Sequence, residues 1–152
     1  MSVDALQVAI KAVIRASEII LETFGNPEGI EYKSRVDVVT DTDKRCEEEI
    51  VKILRSETPD FGIIAEEGTN FPGEKVWIVD PLDGTTNFSH SYPFCGPSIG
   101  LCLEDEVLVG VLADPFRDEL YFAAKGNGAY MNDLHNTGTP QKLSVTSVDT
   151  LH

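Results

Sequence analysis

The hydrophobic repeat of this chain changes period near Pro59, and that change restricts the fold more than any other feature. Before it, Leu6, Ala9, Ile10, Val13, Ile14, Ile20, Leu21 and Phe24 recur three and four residues apart. That spacing predicts an amphipathic helix from Asp4 to Phe24, with Gly25 as its stop. A second helical face follows in Cys46, Ile50, Ile53 and Leu54, opened by Thr40 with Asp43 three positions later, the layout of a capping box. The charged residues of this second helix, Glu47 to Glu49 included, read as its solvated face. Beyond Pro59 come short β-rich runs: Phe61 to Ala65, Val76 to Val79, Ser98 to Leu103, Val107 to Leu112, Glu119 to Ala123 and Lys142 to Val145. Glu104 to Glu106 read as a polar hairpin turn, Asp114, Pro115 and Asp118 bracket the next, and Gly126, Asn127 and Gly128 mark another, so a meander is expected. The fold class that results is α/β of the layered α+β type: two N-terminal helices packed on a mostly antiparallel sheet.

Composition narrows the function. A chain of 152 residues with 41% hydrophobic and 25% charged residues suits one packed domain. With 26 Asp and Glu against 12 Lys and Arg, the formal net charge of -14 argues against nucleic acid or an anionic membrane as partner. No apolar run approaches the ~20 residues of a membrane helix, and Asp4, Glu18 and Glu22 stand where an export leader would be basic and then apolar. A soluble, cytoplasmic chain is the expectation. Cys46, Cys95 and Cys102 form no CxxC pair, and His90, His135 and His152 are scattered, so neither a disulfide framework nor a zinc cluster is suggested. Ser147 to Leu151 reads as the opening of a further element that stops short of a useful helix, which makes the chain read as the front part of something longer.

The densest chemistry lies in Trp77 to Phe88, where an apolar strand runs into Asp80, Pro81 breaks it, and Asp83, Gly84, Thr85 and Thr86 follow. Even fully extended, Asp80 and Asp83 would be only ~10 Å apart, and a proline turn brings them closer, so the two carboxylates can share a cation. The plain alternative is a tight turn whose Asp and Gly serve the backbone alone. Phe61 to Ala65 runs into Glu66 and Glu67 in the same way, and if the two strands are neighbours, one of these glutamates meets Asp80 and Asp83. Unit charges ~4 Å apart repel by about 4 kcal/mol at an effective dielectric of ~20, so such a pocket must take up protons or cations. Hard oxygen donors without paired His or Cys favour Mg²⁺ or Mn²⁺ over Zn²⁺. Bound Mg²⁺ is commonly completed by substrate phosphate, and the Gly84-Thr85-Thr86 amides suit a phosphate as well, which points to phosphate ester hydrolysis. The Thr85 hydroxyl is either a water-orienting group or an ordinary turn residue. An EF-hand does not fit Asp41 to Cys46, and the Asp-x-Asp-Gly-Thr motif of aspartyl-nucleophile phosphatases fails because Pro81 stands two residues before Asp83.

The strings VDVVTDTD (Val36 to Asp43), AEEGT (Ala65 to Thr69) and WIVDPLDGTTNFSHSYPFCGPSIG (Trp77 to Gly100) resemble the inositol monophosphatase family, in order and in spacing. That resemblance implies the layered inositol monophosphatase/fructose-bisphosphatase-like fold, of which residues 1–152 would be the N-terminal metal-binding portion, its C-terminal portion absent. It further implies a Mg²⁺-dependent, commonly lithium-sensitive phosphomonoesterase using two or more ions, acting on a small phosphorylated substrate, most simply inositol monophosphate, and a homodimer in full-length form. Carried over by position, Glu66, Asp80, Asp83 and the Leu82 carbonyl would ligate metal, and Glu66 and Thr85 would activate water, with Asp43 orienting Thr85. The amides of Gly84 and Thr85 would hold the phosphate, with Leu82 and Asp83 beside it. Fructose-1,6-bisphosphatase and histidinol-phosphatase activities are the alternatives within this chemistry. A noncatalytic divalent-cation-binding fragment is the alternative outside it.

Overall fold

The computed structural model describes residues 4–26, 31–32 and 38–148. Helix α1 spans Ala5–Thr23 and is started by Asp4, whose carboxylate accepts from the amides of Leu6 at 3.2 Å and Gln7 at 3.5 Å. It ends where Gly25 takes a positive φ of 79°. A two-stranded antiparallel ribbon follows, β1 (Glu31–Tyr32) with β2 (Val38–Val39), which hydrophobic patterning did not anticipate because each strand is two residues long. Helix α2 spans Asp41–Glu57 and carries the expected capping box: the Asp43 carboxylate accepts the Thr40 amide at 2.8 Å.

The rest of the chain builds one sheet: β3 (Gly62–Ala65), β4 (Asn70–Phe71), β5 (Lys75–Asp83), then a short helix α3 (Thr85–Ser89), β6 (Gly96–Leu103), β7 (Glu106–Asp114), β8 (Glu119–Ala124), β9 (Gly128–Asn132) and β10 (Gln141–Leu143). Its order is β10-β9-β8-β7-β6-β5-β3-β4, antiparallel throughout except for the parallel pair β3 and β5. From β5 onward the strands form the expected meander, and two of its turns use residues with positive φ, Glu104 at 52° and Asp118 at 57°. Strand β9 was not anticipated, since Gly128 to Asn132 contains no β-branched residue and owes its form to pairing with β8. The last strand ends at Leu143 rather than Val145, whose side chain is almost fully exposed. Ser147 and Val148 belong to neither helix nor strand, and the remainder of the expected terminal element lies outside the described residues.

Both long helices lie on one face of the sheet. α1 packs against α2 and across β6, β7 and β8, while α2 covers β5. The core joins Val13, Ile19 and Ile20 of α1 with Ile50 and Leu54 of α2 and with Ile63, Trp77, Val79, Ile99 and Val111 of the sheet. Each fully buried aliphatic side chain contributes about 1.5–3 kcal/mol. The alternate residues Ile64, Ile78 and Leu112 are exposed on the opposite face, as the period of two requires. Trp77 is fully buried, and its indole N–H donates to Thr58 Oγ1 at 2.9 Å, which ties the end of α2 to the middle of the sheet.

Candidate active site

The site forms where the parallel pair ends. Because Ala65 is registered with Val79, the next residue on each strand, Glu66 and Asp80, emerge side by side, and the Glu66 amide extends the ladder by donating to the Val79 carbonyl at 3.1 Å. An antiparallel pair would have set the end of one strand against the start of the other. Register thus decides between the two glutamates: Glu66 meets Asp80, while the amide of Glu67 turns toward α2. The Asp80 and Glu66 carboxyl groups face each other closely enough for each to act on the other. Burial, together with the facing Glu66 and the nearby Asp83, pushes the Asp80 carboxyl up to about 7, against a smaller opposing effect of the Leu82 amide, which donates to it at 3.1 Å.

Past Asp80 the pairing with β6 slips: Asp80 faces Ser98 but Asp83 faces Gly96, so Pro81 and Leu82 together oppose Pro97. This bulge, followed by Gly84 at φ 89°, turns the chain sharply into α3. Gly84 is required there on two counts, since a Cβ would also come within 3.0 Å of Cys95 Cβ and of the Phe94 carbonyl. The turn places Thr85 against α2. Its hydroxyl lies 2.7 Å from Asp43 Oδ1 and 3.0 Å from the Leu82 carbonyl. Asp43 is buried and divides its work, one oxygen capping α2 and the other holding Thr85. With its proton directed at these acceptors, the Thr85 oxygen keeps lone pairs for a third partner.

Glu47 departs from its expected role. Rather than joining a solvated face it is 5% exposed, and its carboxylate accepts from the Glu67 amide at 2.6 Å, the Thr69 amide at 3.0 Å and the Thr69 hydroxyl at 2.6 Å. The signal was present in the sequence: Asp43, Glu47, Ile50 and Leu54 are spaced four, three and four apart, which puts Glu47 on the apolar stripe.

Glu66 and Asp80 are therefore in contact, Asp83 acts on Asp80 through its charge, and Asp43 and Thr85 adjoin through the turn that carries Leu82 and Gly84. Among the described residues no three His, Cys, Asp or Glu side chains close into a metal cage. The carboxyl pair needs a proton or a cation between its members, and its donors are all hard oxygens, so the residues fit Mg²⁺ or Mn²⁺ better than Zn²⁺. A cleft of about 400 Å³ opens beside the same turn, lined by Asp83, Gly84, Ser98, Asp114 and Arg117, but Glu66, Asp80 and Thr85 do not line it. No helix among the described residues is long and apolar enough to cross a membrane.

Residues 3–152 match the inositol monophosphatase family. The chain belongs to that family. As an inositol monophosphatase family chain it is 45% identical over 148 residues to inositol monophosphatase 3 of Solanum lycopersicum, covering 93% of this chain and 53% of that protein. It is 40% identical over 152 residues to the inositol monophosphatase of Dictyostelium discoideum, covering 96% and 53%. The family chain also superimposes on the IMPase of Thermotoga maritima with a TM-score of 0.81 at 35% identity, covering 85% of this chain and 51% of that one. It spans about half the length of the curated relatives it matches.

Proposed function

We propose that this chain carries the metal-holding portion of a Mg²⁺-dependent phosphomonoesterase that hydrolyses inositol monophosphate. The observation that carries this reading is the meeting of Glu66 and Asp80 at the ends of adjacent parallel strands, next to a threonine whose hydroxyl is held by a buried aspartate. Membership of a family whose curated relatives are named inositol monophosphatases supports it. In this reading Glu66, Asp80, Asp83 and the Leu82 carbonyl hold two or more Mg²⁺ ions, and Mn²⁺ meets the same donor requirement. Bound Mg²⁺ supplies Lewis acidity toward a phosphoryl oxygen and acidifies a water. Thr85, its own proton directed to Asp43, would accept one hydrogen of the attacking water and fix its approach, and Glu66 would take up the proton the water loses and pass it to the alcohol oxygen as the ester P–O bond breaks. The Gly84 and Thr85 amides, at the start of α3 where no helical carbonyl precedes them, hold the phosphate. The partners are then a small phosphorylated substrate and, in the full-length form, a second copy of the chain, with the cytoplasm as the compartment.

A calorimetric Mg²⁺ titration paired with a phosphate-release assay on inositol monophosphate, fructose 1,6-bisphosphate and histidinol phosphate tests the proposal. The expected result is Mg²⁺ binding, with release fastest from the inositol ester, and loss of several orders of magnitude in turnover for Glu66→Ala. Wild-type protein that ignores Mg²⁺, or an active Glu66→Ala variant, would refute it. Because the chain spans half the length of its relatives, cation binding without release from any ester is the second outcome of note, and it would identify a noncatalytic cation-binding portion.

A further inference from the structure

We infer that Glu47 is a positioning residue for the Glu66 carboxylate, and that α2 sets the distance between Glu66 and Thr85 by gripping both sides of the site from one helix. The inference rests on the metal-holding role proposed above. The turn after β3 is closed from within on one side only: Ala65 donates to the Thr69 carbonyl at 2.9 Å and Gly68 to the Ala65 carbonyl at 3.2 Å, with Gly68 at φ 117°. The amides of Glu67 and Thr69 point the other way, and both end on Glu47, as does the Thr69 hydroxyl. Three donors converge on one buried carboxylate, which serves purely as an acceptor in these contacts. Glu66 is the residue between β3 and this anchored segment, so its backbone is fixed from both ends: by the ladder bond to Val79 before it and by the Glu47 contact to Glu67 after it.

Four residues earlier on the same helix, Asp43 makes the equivalent contact with the opposite wall through Thr85. Residues at this spacing project from one helix face, so the walls carrying Glu66 and Thr85 are held by neighbouring carboxylates on a rigid rod. A helix is stiffer than the loops it grips, and the separation of the water-activating groups follows from its pitch of 5.4 Å per turn.

The test uses the whole chain and compares wild type, Glu47→Gln, Glu47→Asp and Leu54→Ala, the last a core truncation on the same helix away from the turn. The glutamine keeps the shape but turns an N–H₂ group toward donors that need an acceptor, so it breaks part of the grip without leaving a hole. The readouts are the Mg²⁺ dissociation constant by calorimetry, the exchange rates of the Glu67 and Thr69 amides, and the melting temperature. Glu47→Gln is expected to weaken Mg²⁺ binding by about 10-fold to 100-fold and to speed exchange at both amides. Glu47→Asp should recover part of the affinity, and Leu54→Ala should melt earlier with its Mg²⁺ affinity unchanged. If Glu47→Gln and Glu47→Asp bind Mg²⁺ as wild type does, or if Leu54→Ala weakens binding as much as they do, the inference is overturned while the metal reading stands. Failure of wild type to bind Mg²⁺ overturns the metal reading itself, and the inference with it.

Discussion

The contact between Asp43 and Thr85 joins α2 to the turn after β5 across 42 residues of sequence, and its strength can be measured directly. Truncating Asp43 to alanine removes the acceptor for the Thr40 amide, a cap loss of about 1 kcal/mol. It also removes a charged acceptor from the Thr85 hydroxyl, where such bonds are worth about 1.5–3 kcal/mol. The low end applies, because the hydroxyl retains the Leu82 carbonyl at 3.0 Å as an alternative acceptor. The two losses together put Asp43→Ala about 2.5 kcal/mol below wild type, which at about 3 °C per kcal/mol for a domain of this size lowers the melting temperature by about 7–8 °C. Thr85→Val, which deletes the same bond from the other side while keeping volume, should cost about 1.5 kcal/mol. Urea denaturation of wild type, both single variants and the double variant closes a thermodynamic cycle with an expected coupling of about 1–1.5 kcal/mol. Strictly additive losses would show that the two side chains do not act on each other, and the orienting role given to Asp43 would have no physical basis.

At pH 8, where Asp80 is ionised, Asp80→Asn should raise the melting temperature of the protein in EDTA, since it removes a charge held against Glu66 and Asp83, while abolishing the stabilisation by Mg²⁺; an equal or lower melting temperature in EDTA at that pH would contradict the carboxyl contact. Burial first, and then the charge of Asp43, pushes the Cys46 thiol up to about 12, so in folded protein at pH 8 iodoacetamide should modify the half-buried Cys102 well before Cys46, as peptide mapping would reveal. The sign of the linked stability follows: the folded state holds this proton more tightly than the unfolded chain does, so the contribution is complete below pH 9 and fades as pH rises toward 12, and Cys46→Ala should flatten the alkaline limb of the melting profile. Trp77→Phe leaves a gap and deletes the bond to Thr58, for a loss of about 2 kcal/mol by denaturant titration; wild-type emission from this single tryptophan should be blue-shifted and move red on unfolding.

Much of the architecture was legible because it is written in periods. The spacing of Leu6 to Phe24 and of Cys46 to Leu54 gave both long helices, and the short β-rich runs Ser98 to Leu103 and Val107 to Leu112 gave the central strands. Strand β9 carries too weak a local pattern and exists because β8 lies beside it. At the site, the strand-then-acid layout of Ala65-Glu66 and Val79-Asp80 was visible, but which glutamate meets Asp80 depended on a register between strands ten residues apart, which no local pattern encodes. Glu47 was misread for a different reason. A charged residue on an apolar stripe is ordinarily taken as the stripe's edge, and only the three donors awaiting it turn that position into an interior one.

The slip in pairing between Asp80 and Asp83 also limits how this chain can change. Proline lacks an N–H, so Pro81 and Pro97 offer no donor at that point, and the Leu82 amide beside them is taken by Asp80, which leaves nothing to zip the strands into even register. β5 ends at Asp83, so deleting one residue from this stretch would turn Asp83 toward the other face of the sheet and shift the entry into α3. A change of length at this bulge would therefore displace an acidic side chain of the site, whereas an exchange of one side chain for another would leave the turn in place.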